Sequence, residues 1–219
     1  EGKGPMRVEI IGMVALFSGV AHAGTIGFEG ATSTGGYTSL AVDDGEGVMA
    51  TITRLGTATS TFDIASFGSN PRPASWGDKT LSPFSALETA SAVVFEVNFS
   101  APGRTITSVG IQYGDYGSAT GSVRFQAFSG ASGGGSLLSN QTQFWNGKFG
   151  AGSPAGVVAA AGPIGSIRFW GEQGSFSSSL YWDNLTITSV PDRVVPLPQA
   201  GGMALAGLGV LAMRRRRRA

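Results

Sequence analysis

Ser122-Val123-Arg124-Phe125-Gln126-Ala127-Phe128 is the stretch that decides the fold. In an extended chain successive side chains point to opposite faces, so Val123, Phe125 and Ala127 share one face, and Arg124, Gln126 and Phe128 the other. Ile164–Trp170 repeats the pattern, with Ile167 and Phe169 opposed to Arg168 and Trp170. Outward from these two runs, apolar or alternating segments recur at Thr25–Phe28, Val48–Thr53, Thr61–Phe67, Ala92–Phe99, Ile106–Tyr113, Gln143–Trp145, Val157–Ala161 and Leu180–Thr188. Clusters of Gly, Pro, Asn, Asp and Ser separate them at intervals of about 8–15 residues, as turns separate strands. Between the two ends, no window longer than about ten residues has helical periodicity. The pattern predicts an all-β chain, an antiparallel two-sheet β-sandwich of jelly-roll type, over residues 24–190. A signal helix flanks it on the N-terminal side and a hydrophobic helix on the C-terminal side. Ser132–Ser136 is expected as a flexible hairpin loop or crossover, and Asp43–Gly47 and Gly114–Gly117 as turns.

Composition agrees. Glycine supplies 35 of 219 residues and charged side chains only 13%, where about 7% and 25% are usual. Such a chain suits short strands and tight turns, because glycine and β-branched residues disfavour helices. With no cysteine, a disulfide scaffold, a thiolate metal site and a cysteine nucleophile are all excluded. The formal net charge of +1 conceals an asymmetry, since Arg214–Arg218 close the chain. From Gly24 to Arg193, twelve acids face eight bases, leaving −4. A mildly acidic domain disfavours nucleic acid as a partner.

The ends read as targeting segments. Met6-Arg7 opens a short basic region, Ile10–Val20 is apolar, and Ala21-His22-Ala23 has the small-x-small form that signal peptidase cuts. Residues 1–23 are therefore expected to be a signal peptide, with extra residues before Met6 and cleavage after Ala23. Residues 191–194 form a linker. Residues 195–219 hold Val195-Pro196-Leu197-Pro198, then the apolar run Ala200–Met213, then the arginine cluster. As a helix that run covers about 21 Å, to which Val194–Leu197 and snorkelling arginines add. The arginines stay cytoplasmic by the positive-inside rule.

This tripartite tail resembles the PEP-CTERM class of sorting signals, in its VPLPA-CTERM variant, with Gln199 in place of the usual alanine. The resemblance implies a Gram-negative host, recognition by an exosortase, removal of the tail near the motif, and passage from the inner membrane to the outer surface or extracellular matrix. It also implies association with exopolysaccharide. A second resemblance concerns the domain. Ile26-Gly27-Phe28-Glu29 and Tyr181-Trp182-Asp183-Asn184-Leu185 are similar to the first and last strands of carbohydrate-binding-module-like jelly rolls. That resemblance implies a structural Ca²⁺ held by Glu29 and Asp183, with backbone carbonyls completing six to eight oxygens.

Catalysis finds little to work with. The one histidine, His22, lies in the expected signal peptide, so histidine-based triads, relays and zinc sites leave with it. What remains is carboxylate chemistry, for which a glycosidase needs two carboxyls about 5–10 Å apart. Glu88, Glu96, Asp115 and Glu172 are available, but their spacing does not require proximity. Glu96 is expected to point outward as an exposed charge. Trp76 and Trp145 lie in polar, loop-like stretches and are the candidate carbohydrate contacts, since exposed aromatic rings stack on sugars. The sequence thus points to a non-enzymatic surface or matrix protein. A carbohydrate-binding module for extracellular polysaccharide and a carboxylate-based polysaccharide hydrolase are the alternatives.

Overall fold

Among the described residues twelve strands follow one another in β1 (His22–Ile26), β2 (Ser39–Asp43), β3 (Met49–Leu55), β4 (Asp63–Ser66), β5 (Lys79–Ser82), β6 (Val94–Ser100), β7 (Arg104–Asp115), β8 (Gly121–Phe128), β9 (Leu137–Trp145), β10 (Gly156–Ala161), β11 (Ser166–Gly171) and β12 (Leu180–Pro191). The computed structural model describes residues 21–32, 36–56, 61–69, 72–82, 93–115, 121–145, 156–171 and 180–192. Within them no helix is long and apolar enough to cross a membrane. The expected signal and tail helices, Glu88, Glu172 and the Val195–Pro198 motif lie outside the described residues.

The strands form two antiparallel six-stranded sheets packed as a sandwich. One has the order β10-β7-β12-β5-β4, and β1 joins it against the far half of β12. The other has the order β2-β3-β6-β11-β8-β9. The alternation at Ser122–Phe128 does what it predicts: Val123, Phe125 and Ala127 are fully buried. Ile167 and Phe169 do the same on β11. Phe169 meets Trp182 of the opposite sheet with ring centroids 4.4 Å apart, and Phe95 packs on both Phe169 and Phe62. Aromatic contacts of this kind add about 0.5–1.5 kcal/mol each beyond burial.

At its C-terminal end β12 is fastened by side chains. Arg104 donates from Nε to Ser189 Oγ (2.9 Å). Asp192 donates its N–H to the Gly103 carbonyl (2.9 Å) and accepts from Thr105 Oγ1 (2.6 Å).

Several expectations change. β2 and β5 are additional strands, and β9 begins at Leu137 rather than Gln143. Gly114 and Asp115 continue β7, opposite Tyr181 and Leu180, instead of turning. The Ser132–Ser136 stretch connects β8 to β9 as a hairpin, one of the two forms expected of it, closed by Ser129 N–H to Ser136 O (3.0 Å) and Gly130 N–H to Gly134 O (3.0 Å). The expected cleavage point after Ala23 falls inside β1, where His22 and Ala23 pair with Ser189 and Thr188. Asp43–Gly47 is a turn, as read: Asp43 and Asp44 accept from the N–H groups of Gly45 and Glu46.

Candidate functional site

Glu29 follows β1 directly after the buried Phe28, in a turn closed by Ala31 N–H to Phe28 O (2.9 Å). Asp183 lies in β12 where the pairing with β7 shifts register between Asp183 and Thr186. Asn184 takes a left-handed backbone there (φ 48°), a conformation that asparagine tolerates better than most residues. The carboxyl of Asp183 is only 1% exposed as a residue. Its Oδ1 accepts from Asn184 N–H (2.7 Å), and the Gly77 N–H also donates to the carboxylate. Its Oδ2 is buried with no hydrogen-bond partner among the described residues. Burial is the main reason that its pKa rises to about 7, and the negative charge of Glu29 adds to the rise. The first and last strands thus bring the two carboxyls of the sequence reading into one site.

The segment from Arg72 to Asp78 forms the third wall. Gly77 has no side chain because none fits: a Cβ there would stand 1.9 Å from Glu29 Oε1. The same Oε1 accepts from the Lys79 N–H (2.7 Å), and Lys79 Nζ donates to the carbonyls of Glu29 (2.9 Å) and Ala31 (2.5 Å). One oxygen anchors the segment. Gln112 Oε1 on β7 accepts from Trp76 Nε1 (2.7 Å), Ser75 Oγ (3.0 Å) and Asn184 Nδ2 (3.1 Å).

Trp76 is therefore not a carbohydrate contact. It is 4% exposed, packed with Phe67 and Tyr181, and its indole N–H is committed to Gln112. Trp145 ends β9 opposite Gly121, and its side chain is outside the description. Gln112, Gly77 and Asn184 were not singled out from sequence, although Asn184 stands in the quoted Asp-Asn pair.

The donor set suits a hard cation. Two carboxylates offer oxygen donors of the kind Ca²⁺ takes, with the Lys79 ammonium already on the carbonyls of Glu29 and Ala31, and the orphaned Oδ2 of Asp183 is the atom such an ion would satisfy. Among the described residues no three acids or histidines cluster, so carbonyls and water would complete the shell.

A second feature is the outer face of the β2-β3-β6-β11-β8-β9 sheet. Thr53, Glu96, Arg168, Gln126 and Asn140 stand in register across five adjacent strands, a row about 19 Å long at the usual strand spacing. Glu96 does face outward but is not an exposed charge. It is 5% exposed, because Arg168 covers it with Nε and Nη2 both 2.8 Å from Oε2. Arg168 Nη2 also donates to Ser132 O (3.0 Å), and Ser132 N–H donates to Asn98 Oδ1 (2.5 Å), so the hairpin loop stands as a wall beside the row. On the other side Arg124 donates to Asn140 Oδ1 (3.1 Å) and Thr142 Oγ1 (3.0 Å), and half-buried Trp170 lies opposite Arg124. The row offers amides, hydroxyls and a paired charge next to an indole ring. Its one carboxylate is bound by arginine, which leaves no pair of carboxyls within it for glycosidic chemistry.

No protein-family model matches the chain, and no curated protein matches it. Solved structures resemble it at low identity. The K2 cleaved adhesin domain of Lys-gingipain has 16% identity and a TM-score of 0.45, with 76% of this chain and 99% of that one covered. The K3 cleaved adhesin domain of Lys-gingipain from Porphyromonas gingivalis W83 has 14% identity and a TM-score of 0.37, covering 77% and 99%. A family 11 carbohydrate-binding module from Clostridium thermocellum, solved with a β-1,3-1,4-mixed-linked tetrasaccharide, has 10% identity and a TM-score of 0.31, covering 78% and 96%.

Proposed function

We propose that this chain is an exported, non-catalytic surface or matrix protein of a Gram-negative bacterium that holds extracellular polysaccharide on the outer face of its second sheet. The carrying observation is the in-register row Thr53–Glu96–Arg168–Gln126–Asn140, walled by the Ser132 loop and flanked by Trp170. Polysaccharides present many hydroxyls and few charges. Amide and hydroxyl side chains can both donate to and accept from them, and an aromatic face takes the C–H side of a sugar ring. The test is retention of the protein on its host's exopolysaccharide. Trp170→Ala and Gln126→Ala should each reduce retention at least tenfold with the melting temperature little changed. Retention untouched by both variants would remove this face from the function.

Glu29 and Asp183 would hold a structural Ca²⁺ that ties the first strand to the last. The ion supplies two positive charges between the buried Asp183 carboxyl and the exposed Glu29 carboxyl, which otherwise repel each other, and it does no chemistry on a ligand. An unchanged melting temperature after dialysis against a chelator would count against it.

Export and sorting belong to the same proposal and rest on Ala21-His22-Ala23 and on the tail from Val195 to Ala219. Signal peptidase cuts after Ala23, the tail then holds the domain at the inner membrane, and an exosortase removes it near Val195–Pro198. Intact mass from host cells and medium decides this. A species running from Gly24 to the Val195–Pro198 region, present only with the exosortase gene, is the expected result. Retention of Arg214–Arg218 in both strains would make the tail a plain anchor.

A further inference from the structure

β9 is an edge strand: among the described residues it pairs with β8 alone. Its sequence, Leu-Leu-Ser-Asn-Gln-Thr-Gln-Phe-Trp over residues 137–145, contains no charge, no proline and no glycine. Long edge strands ordinarily carry such residues, because an open row of N–H and C=O groups recruits another strand. β9 also exposes two large apolar side chains, Leu137 at 51% and Phe144 at 83%. β10 of the other sheet approaches it, and Gln141 Nε2 donates to Ala159 O (2.6 Å), but among the described residues the two strands form no ladder.

We propose that β9 is a homotypic pairing edge, through which two copies of this chain join by antiparallel β9–β9 addition about a two-fold axis at Gln141. Two six-stranded sheets become one continuous sheet of twelve. The occupant is a second copy because the strand complements itself in this register. Asn140 falls opposite Thr142 of the second copy, and Ser139 opposite Gln143, which places amides against hydroxyls. The pairing of β9 with β8 slips between Ala127 and Phe128, which puts Leu137 opposite Phe128 on the outer face. Two residues then stand against one at that end, so Leu137 meets Phe144 of the second copy at both ends of the seam, and each apolar exposure covers the other. Charge permits the pairing as well. A row across the seam reads Arg124, Thr142, then Asn140, Gln126 and the Glu96-paired Arg168 of the second copy, so the two residues that meet at the seam are uncharged and no like charges oppose each other directly. This closed two-fold contact uses the same surface twice, as an isologous interface must.

The experiment is light scattering of the full chain in detergent at low salt over a range of concentrations. The C-terminal tail is identical in every variant, so any association it drives is common to all. Wild type should show a dimer whose fraction grows with concentration. Leu137→Lys and Phe144→Glu should each lower that fraction at least tenfold, with circular dichroism unchanged because both side chains are exposed. The double variant sets the introduced ammonium of one copy against the introduced carboxylate of the other at both ends of the seam. It should recover the dimer, and so should a mixture of the two single variants. A monomeric wild type, single variants that associate as wild type does, or a double variant no better than the singles would each overturn the proposal.

Discussion

Asp183→Asn tests the carboxyl site quantitatively, provided that the protein is first stripped of divalent cations with a chelator. The Asp183 carboxyl has a folded pKa of about 7, against about 3.9 in an unfolded chain. A raised carboxylate pKa means that the folded state binds the proton more tightly than the unfolded state does. Stability is therefore fully present below the unfolded pKa, is lost as pH rises above it, and levels off past the folded pKa. With those two values, the loss between about pH 5 and about pH 7.5 comes to about 2–3 kcal/mol at 1.36 kcal/mol per unit. For a domain of this size that is a fall in melting temperature of about 5–10 °C. In Asp183→Asn the amide oxygen still accepts from Asn184 and Gly77, and the amide nitrogen replaces the orphaned Oδ2. The variant should show a nearly flat profile over this range. Calcium should restore the wild type near neutral pH and leave the variant unmoved. Melts recorded across the pH range in chelator decide it. A flat wild-type profile, or one of equal slope in Asp183→Asn, would refute the reasoning.

Other perturbations follow from single contacts. Gly77→Ala drives a methyl to within 1.9 Å of Glu29 Oε1, so Glu29 must release the Lys79 N–H; urea titration should show a loss of about 1–3 kcal/mol. Arg168→Met leaves Glu96 buried without its cation, which costs about 3–5 kcal/mol, and hydrogen exchange at Gly130–Gly134 should quicken as the loop loses its bond through Ser132. Trp76→Phe keeps a ring but not the bond to Gln112; a destabilisation of about 1–2 kcal/mol is expected, with retention on polysaccharide unchanged per folded molecule.

The sandwich was legible because its central strands present one dry and one wet face, and Ser122–Phe128 and Ile164–Trp170 record that division directly. β5 escaped notice because Lys-Thr-Leu-Ser does not alternate: Thr80, Leu81 and Ser82 are all buried, and Thr80 Oγ1 donates to the Trp182 carbonyl. β2 has no fully buried side chain and is an outermost strand, so its short apolar pattern carries little signal. Glu29 and Asp183 were read together from a likeness at two ends of the chain, and the fold places them in one site. Trp76 and Glu96 went astray for a shared reason. Local composition made one a loop aromatic and the other an exposed acid, yet the partners that bury them, Gln112 and Arg168, are 36 and 72 residues distant. Periodicity reports which face a residue takes, and not what a distant segment lays over that face.

The fastening of β12 has a mechanical consequence. The strand leaves the sandwich at Pro191–Asp192 after pairing with β7 over nearly its whole length and with β1 over its last half. A pull transmitted through the C-terminal side runs along the axis of β12. It loads those ladders in shear, with many rungs sharing the force, instead of unzipping them one by one. Asp192 bound to Gly103 and Thr105, and Ser189 bound to Arg104, lie where that load first enters. For a domain tethered here and holding polysaccharide on the opposite sheet, as proposed above, fluid drag would load this ladder in shear along the strand that carries the tether.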